Sequence, residues 1–293
     1  MMLAARARAI SPAVGLPARR ALSTCASSTP CPRELDFRSS RVAKCELRLI
    51  ENVVSVASDW WNPKSTSGVG ALHQLNAVRV KYIRGRVIDH FGRSSDNDPS
   101  PLSGLRVADI GCGGGVLSEA LCRIGGDMVS VDPGADNMQS SLTNAFLAGT
   151  DDLVAAGEQF DVVCSLEVIE HVADVQAFLR SLTPLVKHRS VRAELMSIAN
   201  QPGGMLFLSS INRTLLSGAL AIGAAEYLLR IVPPGTHEWK KFVDPDDVVR
   251  TLKQEGLTTT DVSGIIGDPI FRSWRIHPTC TQVNYIMCAT KHE

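Results

Sequence analysis

Two kinds of hydrophobic spacing divide this chain. Over 40–58, Val42, Leu47, Leu49, Ile50, Val53 and Val54 recur among charged residues at helical intervals, which predicts a helix. Trp60-Trp61-Asn62-Pro63 stops it, and a second helix is predicted over 72–91. A polar break rich in Ser, Asp and Pro fills 92–103. Beyond it the pattern changes to short continuous apolar runs at 105–110, 128–132, 160–166 and 205–210. Runs of that length read as strands buried on both faces, the mark of a parallel sheet. An apolar helix is predicted over 116–124, closed by Gly125-Gly126. A last strand pair is predicted at 258–266 and 283–291. Helices alternating with strands before a late hairpin predict an α/β fold: a doubly wound, mostly parallel sheet with a C-terminal antiparallel hairpin.

The first strand runs into Gly111-Cys112-Gly113-Gly114-Gly115, and the second ends on Asp132. Strand, glycine loop, helix, strand and acid together form a nucleotide-binding half, with the carboxylate about 20 residues after the first glycine where a ribose is held. With Asp109 two positions before Gly111, the loop is similar to the D-x-G-x-G-x-G loop of class I, Rossmann-like methyltransferases and unlike a dinucleotide fingerprint. The expected cofactor is S-adenosyl-L-methionine, with Asp109, Gly111, Gly113 and Asp132 as contacts.

Glu167-Val168-Ile169-Glu170-His171 follows the buried run at 160–166. On a helical turn, carboxylates at i and i+3 and an imidazole at i+4 share one face. Oxygen ligands beside a histidine nitrogen suit a divalent cation, Mg2+ or another. The bland reading is two glutamates capping a helix with the histidine packed nearby.

Composition narrows the partners. Lys+Arg and Asp+Glu number 30 each, so no overall field attracts nucleic acid. The cysteines at 25, 31, 45, 112, 122, 164, 280 and 288 form no C-x-x-C pair and read as intracellular thiols. Residues 1–33 hold Arg6, Arg8, Arg19, Arg20 and Arg33 and no acid, which reads as a mitochondrial transit peptide. The organisation expected is a transit peptide at 1–33, a helical extension at 34–104 and the catalytic domain at 105–293. Residues 215–232 are the most apolar window, interrupted by Ser217, Glu226 and Arg230. They read either as a core helix or as an interfacial helix, which would make 212–242 a membrane-facing segment.

From Trp60 to the C-terminus the chain resembles the ubiquinone-biosynthesis O-methyltransferases. The resemblance rests on Trp60-Trp61, 72–80, 107–115, 166–172, Asn212-Arg213-Thr214, 225–230, 234–242 and Asn284-Tyr285. It implies methylation of polyprenyl dihydroxybenzoate and demethylubiquinol, with peripheral contact on the matrix side of the inner membrane and other ubiquinone-biosynthesis proteins as partners. It places cofactor contacts on Arg79, Gly111, Asp132 and Leu166, and magnesium ligands on Glu167, Glu170 and His171. A catechol acceptor also needs a base or a further ligand, and His171 and His237 are the candidates, His237 on a proline-stiffened turn.

Two departures from the family pattern stand out. Only 27 residues separate Asp132 from Phe160, so the third strand is expected to be partly missing. An extra stretch fills 188–201. The first departure motivates a rival reading, a non-catalytic member of a biosynthetic assembly. A small-RNA 2′-O-methyltransferase is another rival, disfavoured by zero net charge and 5% aromatics.

Overall fold

A computed structural model describes residues 60–65, 69–93, 98–134, 144–188, 202–220, 238–268 and 273–291. The elements are α1 (Val69–Phe91), β1 (Arg106–Ile110), α2 (Val116–Arg123), β2 (Asp127–Asp132), β3 (Asn144–Leu147) and α3 (Thr150–Ala155). After them come β4 (Val162–Leu166), α4 (Val175–Leu182), β5 (Met205–Ile211), α5 (Pro245–Gln254), β6 (Leu257–Asp268), β7 (Ser273–His277) and β8 (Asn284–Lys291). The strands form one sheet in the order β3-β2-β1-β4-β5-β8-β6-β7. β3 through β5 run parallel, and β8, β6 and β7 complete the sheet antiparallel. This is the doubly wound α/β arrangement with a late antiparallel part.

Strand alternation sorts the core into two layers. Ala108, Ile110, Val163, Leu206, Leu208, Tyr285 and Met287 point to one face, where Phe178, Leu179 and Leu182 of α4 and Val248 and Leu252 of α5 cover them. Val107, Val162, Cys164, Leu166, Met205, Phe207 and Ile286 point to the other, covered by Leu75, Ile83 and Val87 of α1 and Leu117 and Leu121 of α2. Every residue of β4 and β5 is buried, which explains why both read as unbroken apolar runs.

Three expectations are corrected. The third strand is present: β3 pairs with β2 from Val129↔Asn144 to Asp132↔Leu147. It is only four residues long and α3 follows it closely, so the segment suffices. The late hairpin gains a strand, since β7 pairs antiparallel with β6 as well. Glu167–His171 is not a helical turn; it is a loop between β4 and α4, with Glu167 at φ 57°. The predicted helix over 40–58, the transit peptide, His237 and most of the 188–201 insertion lie outside the described residues. Of the apolar window at 215–232, Leu215–Ser217 is a short helical turn, and the described part ends at Leu220. Among the described residues no helix is long and apolar enough to cross a membrane.

Candidate functional site

The site sits where a doubly wound sheet places ligands, at the carboxyl ends of the parallel strands. The glycine loop leaves β1 and turns back through Gly111 (φ 76°) and Gly113 (φ 53°), conformations that residues with a Cβ rarely adopt. The amides of Gly111 and Cys112 both donate to Val131 O, which ties the loop to β2. A Cβ on Gly111 would lie 2.5 Å from Val168 Cγ2, so glycine is also required sterically.

Asp132, at the end of β2, is buried, and its carboxylate accepts from Gly113 N at 2.9 Å and Gly134 N at 2.8 Å. It thereby braces the loop. Asp109 lies beneath, fully enclosed, and accepts from Ser118 Oγ at 2.5 Å. Burial pushes its carboxyl up to about 6, opposed by the Ser118 bond and reinforced by the nearby Asp132 charge.

Arg79 projects from α1 and is 5% exposed. Its Nη2 approaches Glu167 Oε1 to 2.8 Å, yet neither Nε nor Nη2 makes an aligned hydrogen bond among the described residues. The 2.8 Å contact is therefore a charge contact with N–H capacity left over. The guanidinium charge also favours the ionised forms of Asp109 and Glu170, so it lies between the glycine loop and the Glu167–His171 loop. Leu166 ends β4 in the apolar layer beneath α1.

Glu167 and Glu170 are each tied to β5. Ser209 Oγ donates to Glu167 Oε1 at 2.7 Å, and Ser210 Oγ donates to Glu170 Oε2 at 2.9 Å. Ser209 and Ser210 are consecutive in β5, so their side chains leave opposite faces of the sheet. Glu167 also meets Arg79. Burial raises the Tyr285 hydroxyl, and both carboxylates lie near enough for their charges to raise it further. Burial raises the Glu170 carboxyl well above the usual carboxylate range, and the Glu167 charge adds to this. His171 is half-buried, and its amide donates to Val168 O at 2.8 Å.

A donor cofactor fits these residues: a Cβ-free loop, a bracing carboxylate and a buried guanidinium with unused donors. A cation does not fit them as arranged. Among the described residues no three His, Cys, Asp or Glu side chains gather as a metal site, and Glu167 already faces a positive charge.

The family description "Methyltransferase domain" matches residues 80–262. The chain is 38% identical to a ubiquinone biosynthesis O-methyltransferase of Rhizobium etli (strain CIAT 652), over 81% of this chain and 92% of that protein. It is 40% identical to the one of Azorhizobium caulinodans, over 80% of this chain and 88% of that protein. The chain belongs to this family. It is an S-adenosylmethionine-dependent O-methyltransferase. Among solved structures, the plantazolicin methyltransferase BpumL in complex with SAH has the same fold, with a TM-score of 0.52 and 12% identity over 84% of this chain and 97% of that chain.

Sequence reasoning reached the O-methyltransferase's glycine loop, Asp109, Asp132 and Arg79, and the structure brings them together. It missed Ser118, Ser209 and Ser210. The last two carried a readable signal: buried hydroxyls closing an apolar strand at its carboxyl end, where the fold puts its site.

Proposed function

We propose that this protein methylates catechol-type hydroxyls of polyprenylated ubiquinone precursors, polyprenyl dihydroxybenzoate and demethylubiquinol. The observation that carries the proposal is the buried Arg79 guanidinium beside a glycine loop closed on Asp132. Arg79 offers unused donors to the donor's carboxylate, Asp132 faces the ribose, and Leu166 supplies an apolar wall to the adenine. Methyl transfer is an in-line displacement, and the protein's part is to hold the two reactants at attack distance and exclude water.

The acceptor oxygen must lose a proton. His171 borders the site, and His237 is the second candidate base. Glu167, Glu170 and His171 are of the ligand type that suits magnesium, but among the described residues they do not gather into a cation site.

An acceptor with a prenyl tail calls for access from a bilayer. Leu215, Leu216, Leu220 and Trp239 are exposed on the described part of 212–242, which supports peripheral membrane contact. The arginine-rich, acid-free 1–33 segment supports import to the matrix side of the mitochondrial inner membrane. With β3 present, the reason for the non-catalytic reading disappears.

The test is methylation of a short-prenyl dihydroxybenzoate with labelled S-adenosylmethionine, run with magnesium and with a chelator. Labelled product is expected, and its absence while the protein binds the donor refutes the acceptor assignment. Product that forms equally in chelator refutes metal assistance.

A further inference from the structure

We propose that Trp60 is a wall of the donor site, held there by His73. The proposal rests on the reading that the glycine loop carries S-adenosylmethionine. A Cβ on Gly114 would collide with Trp60 Cγ, and one on Gly113 would lie 2.7 Å from Trp60 Cη2. The indole therefore lies along both glycines, its pyrrole end over Gly114 and its benzo end over Gly113. Gly113 is the residue whose amide is bonded to Asp132, so the benzo edge reaches the stretch that Asp132 braces.

The ring is only half-buried, so part of it stays open to a ligand. Its backbone is fixed from α1: His73 Nε2–H donates to Trp60 O at 2.8 Å, and the Trp61 ring meets His73 edge-on at 6.3 Å between centroids. Asn76, three residues further along α1, donates to Val116 O at 3.0 Å, just after the loop. Arg79 follows after another three. Residues three apart are neighbours on a helix surface. His73, Asn76 and Arg79 thus form one polar stripe that fastens Trp60, the loop's end and Glu167 in turn. An aromatic ring held against a Cβ-free backbone can offer a small cofactor a flat apolar face without narrowing the cradle with its own Cβ. Trp60 touches the donor; His73 is a positioning residue acting through it.

The probe is S-adenosylhomocysteine, titrated calorimetrically into the full-length protein. Trp60→Ala should raise Kd about tenfold, the effect of removing one aromatic wall from the ligand. His73→Ala should raise it by less, and the double variant should bind no worse than Trp60→Ala alone, because both changes act on the same ring. Thermal midpoints without ligand should stay close to wild type, which separates the effect from unfolding. Unchanged or tighter binding by Trp60→Ala overturns the proposal, tighter binding showing that the ring blocks the site instead. Additive losses overturn the role of His73. Wild-type protein that binds no S-adenosylhomocysteine overturns the donor reading and this proposal with it.

Discussion

Asp109 is a carboxylate that the fold holds at a cost, and that cost can be measured. It is 2% exposed at the end of β1, and burial lifts its carboxyl from an ordinary 3.8 to about 6. A shift of that size corresponds to about 3 kcal/mol against the ionised form. The folded state binds the proton more tightly than the unfolded state does. The associated stability is therefore fully present below about pH 4 and is lost as pH rises through about 6. Asp109→Asn removes the titration and keeps an oxygen to accept from Ser118 Oγ. The stability difference between variant and wild type, from urea unfolding at pH 4.5 to 8, should grow with pH in favour of the variant. It should level off above pH 7, within an upper bound of about 3 kcal/mol. That bound corresponds to roughly 6–12 °C in Tm for a domain of this size. Donor affinity should fall in the same variant, a stability gain at a functional site. A difference that is flat across this range, or that shrinks with rising pH, refutes the reasoning.

Other changes test the remaining interactions. Gly113→Ala forces a φ of 53° on alanine and sets its Cβ 2.7 Å from the Trp60 ring, so it should cost about 1–2 kcal/mol in urea unfolding and abolish calorimetric donor binding. Arg79→Met strips the counter-ion from Glu167 and should cost about 3 kcal/mol, the low end for a broken buried pair because the Glu167 side chain keeps 19% exposure. Adding Glu167→Gln to Arg79→Met should recover part of that loss in the same unfolding assay; no recovery counts against the ion pair. Ser210→Ala should destabilise more than Ser209→Ala, within about 1–3 kcal/mol, because Glu170 is more deeply buried than Glu167. Equal losses by thermal melting contradict the ordering.

What could be read from the sequence was local. Strand, loop, helix, strand and acid from Arg106 to Asp132 are contiguous, and each step has its own signature: an apolar run, glycines, an apolar helix, a terminal carboxylate. The buried strands β4 and β5 were equally plain, because burial on both faces leaves no polar alternation. β3 escaped because a four-residue strand in a short connection offers too little pattern. β7 escaped for a related reason: its residues are exposed or half-buried, so no apolar run marks it. Interactions between distant segments were the least legible. Nothing in the spacing of Ser209 and Ser210 says that they bond to Glu167 and Glu170, 42 and 40 positions away.

The acidic motif shows how a single backbone angle can undo a helical spacing. Placing Glu167, Glu170 and His171 on one face assumes 3.6 residues per turn, and a single residue at φ 57° cancels that assumption. Left-handed backbone at a non-glycine residue costs about 1–3 kcal/mol and persists only where the surroundings enforce it. Here Ser209 O accepts from the Glu167 amide at 3.0 Å, Ser209 Oγ binds its carboxylate, and Arg79 supplies the charge. Three interactions from two other elements thus outweigh the local preference for a helical turn. The two glutamates stay electrostatically linked, the Glu167 charge adding to burial in raising Glu170 and Arg79 opposing it. Glu167 is held by Arg79 and Ser209, whereas Glu170 is held by Ser210. Any chemistry that needs both carboxylates therefore competes with Arg79 for Glu167.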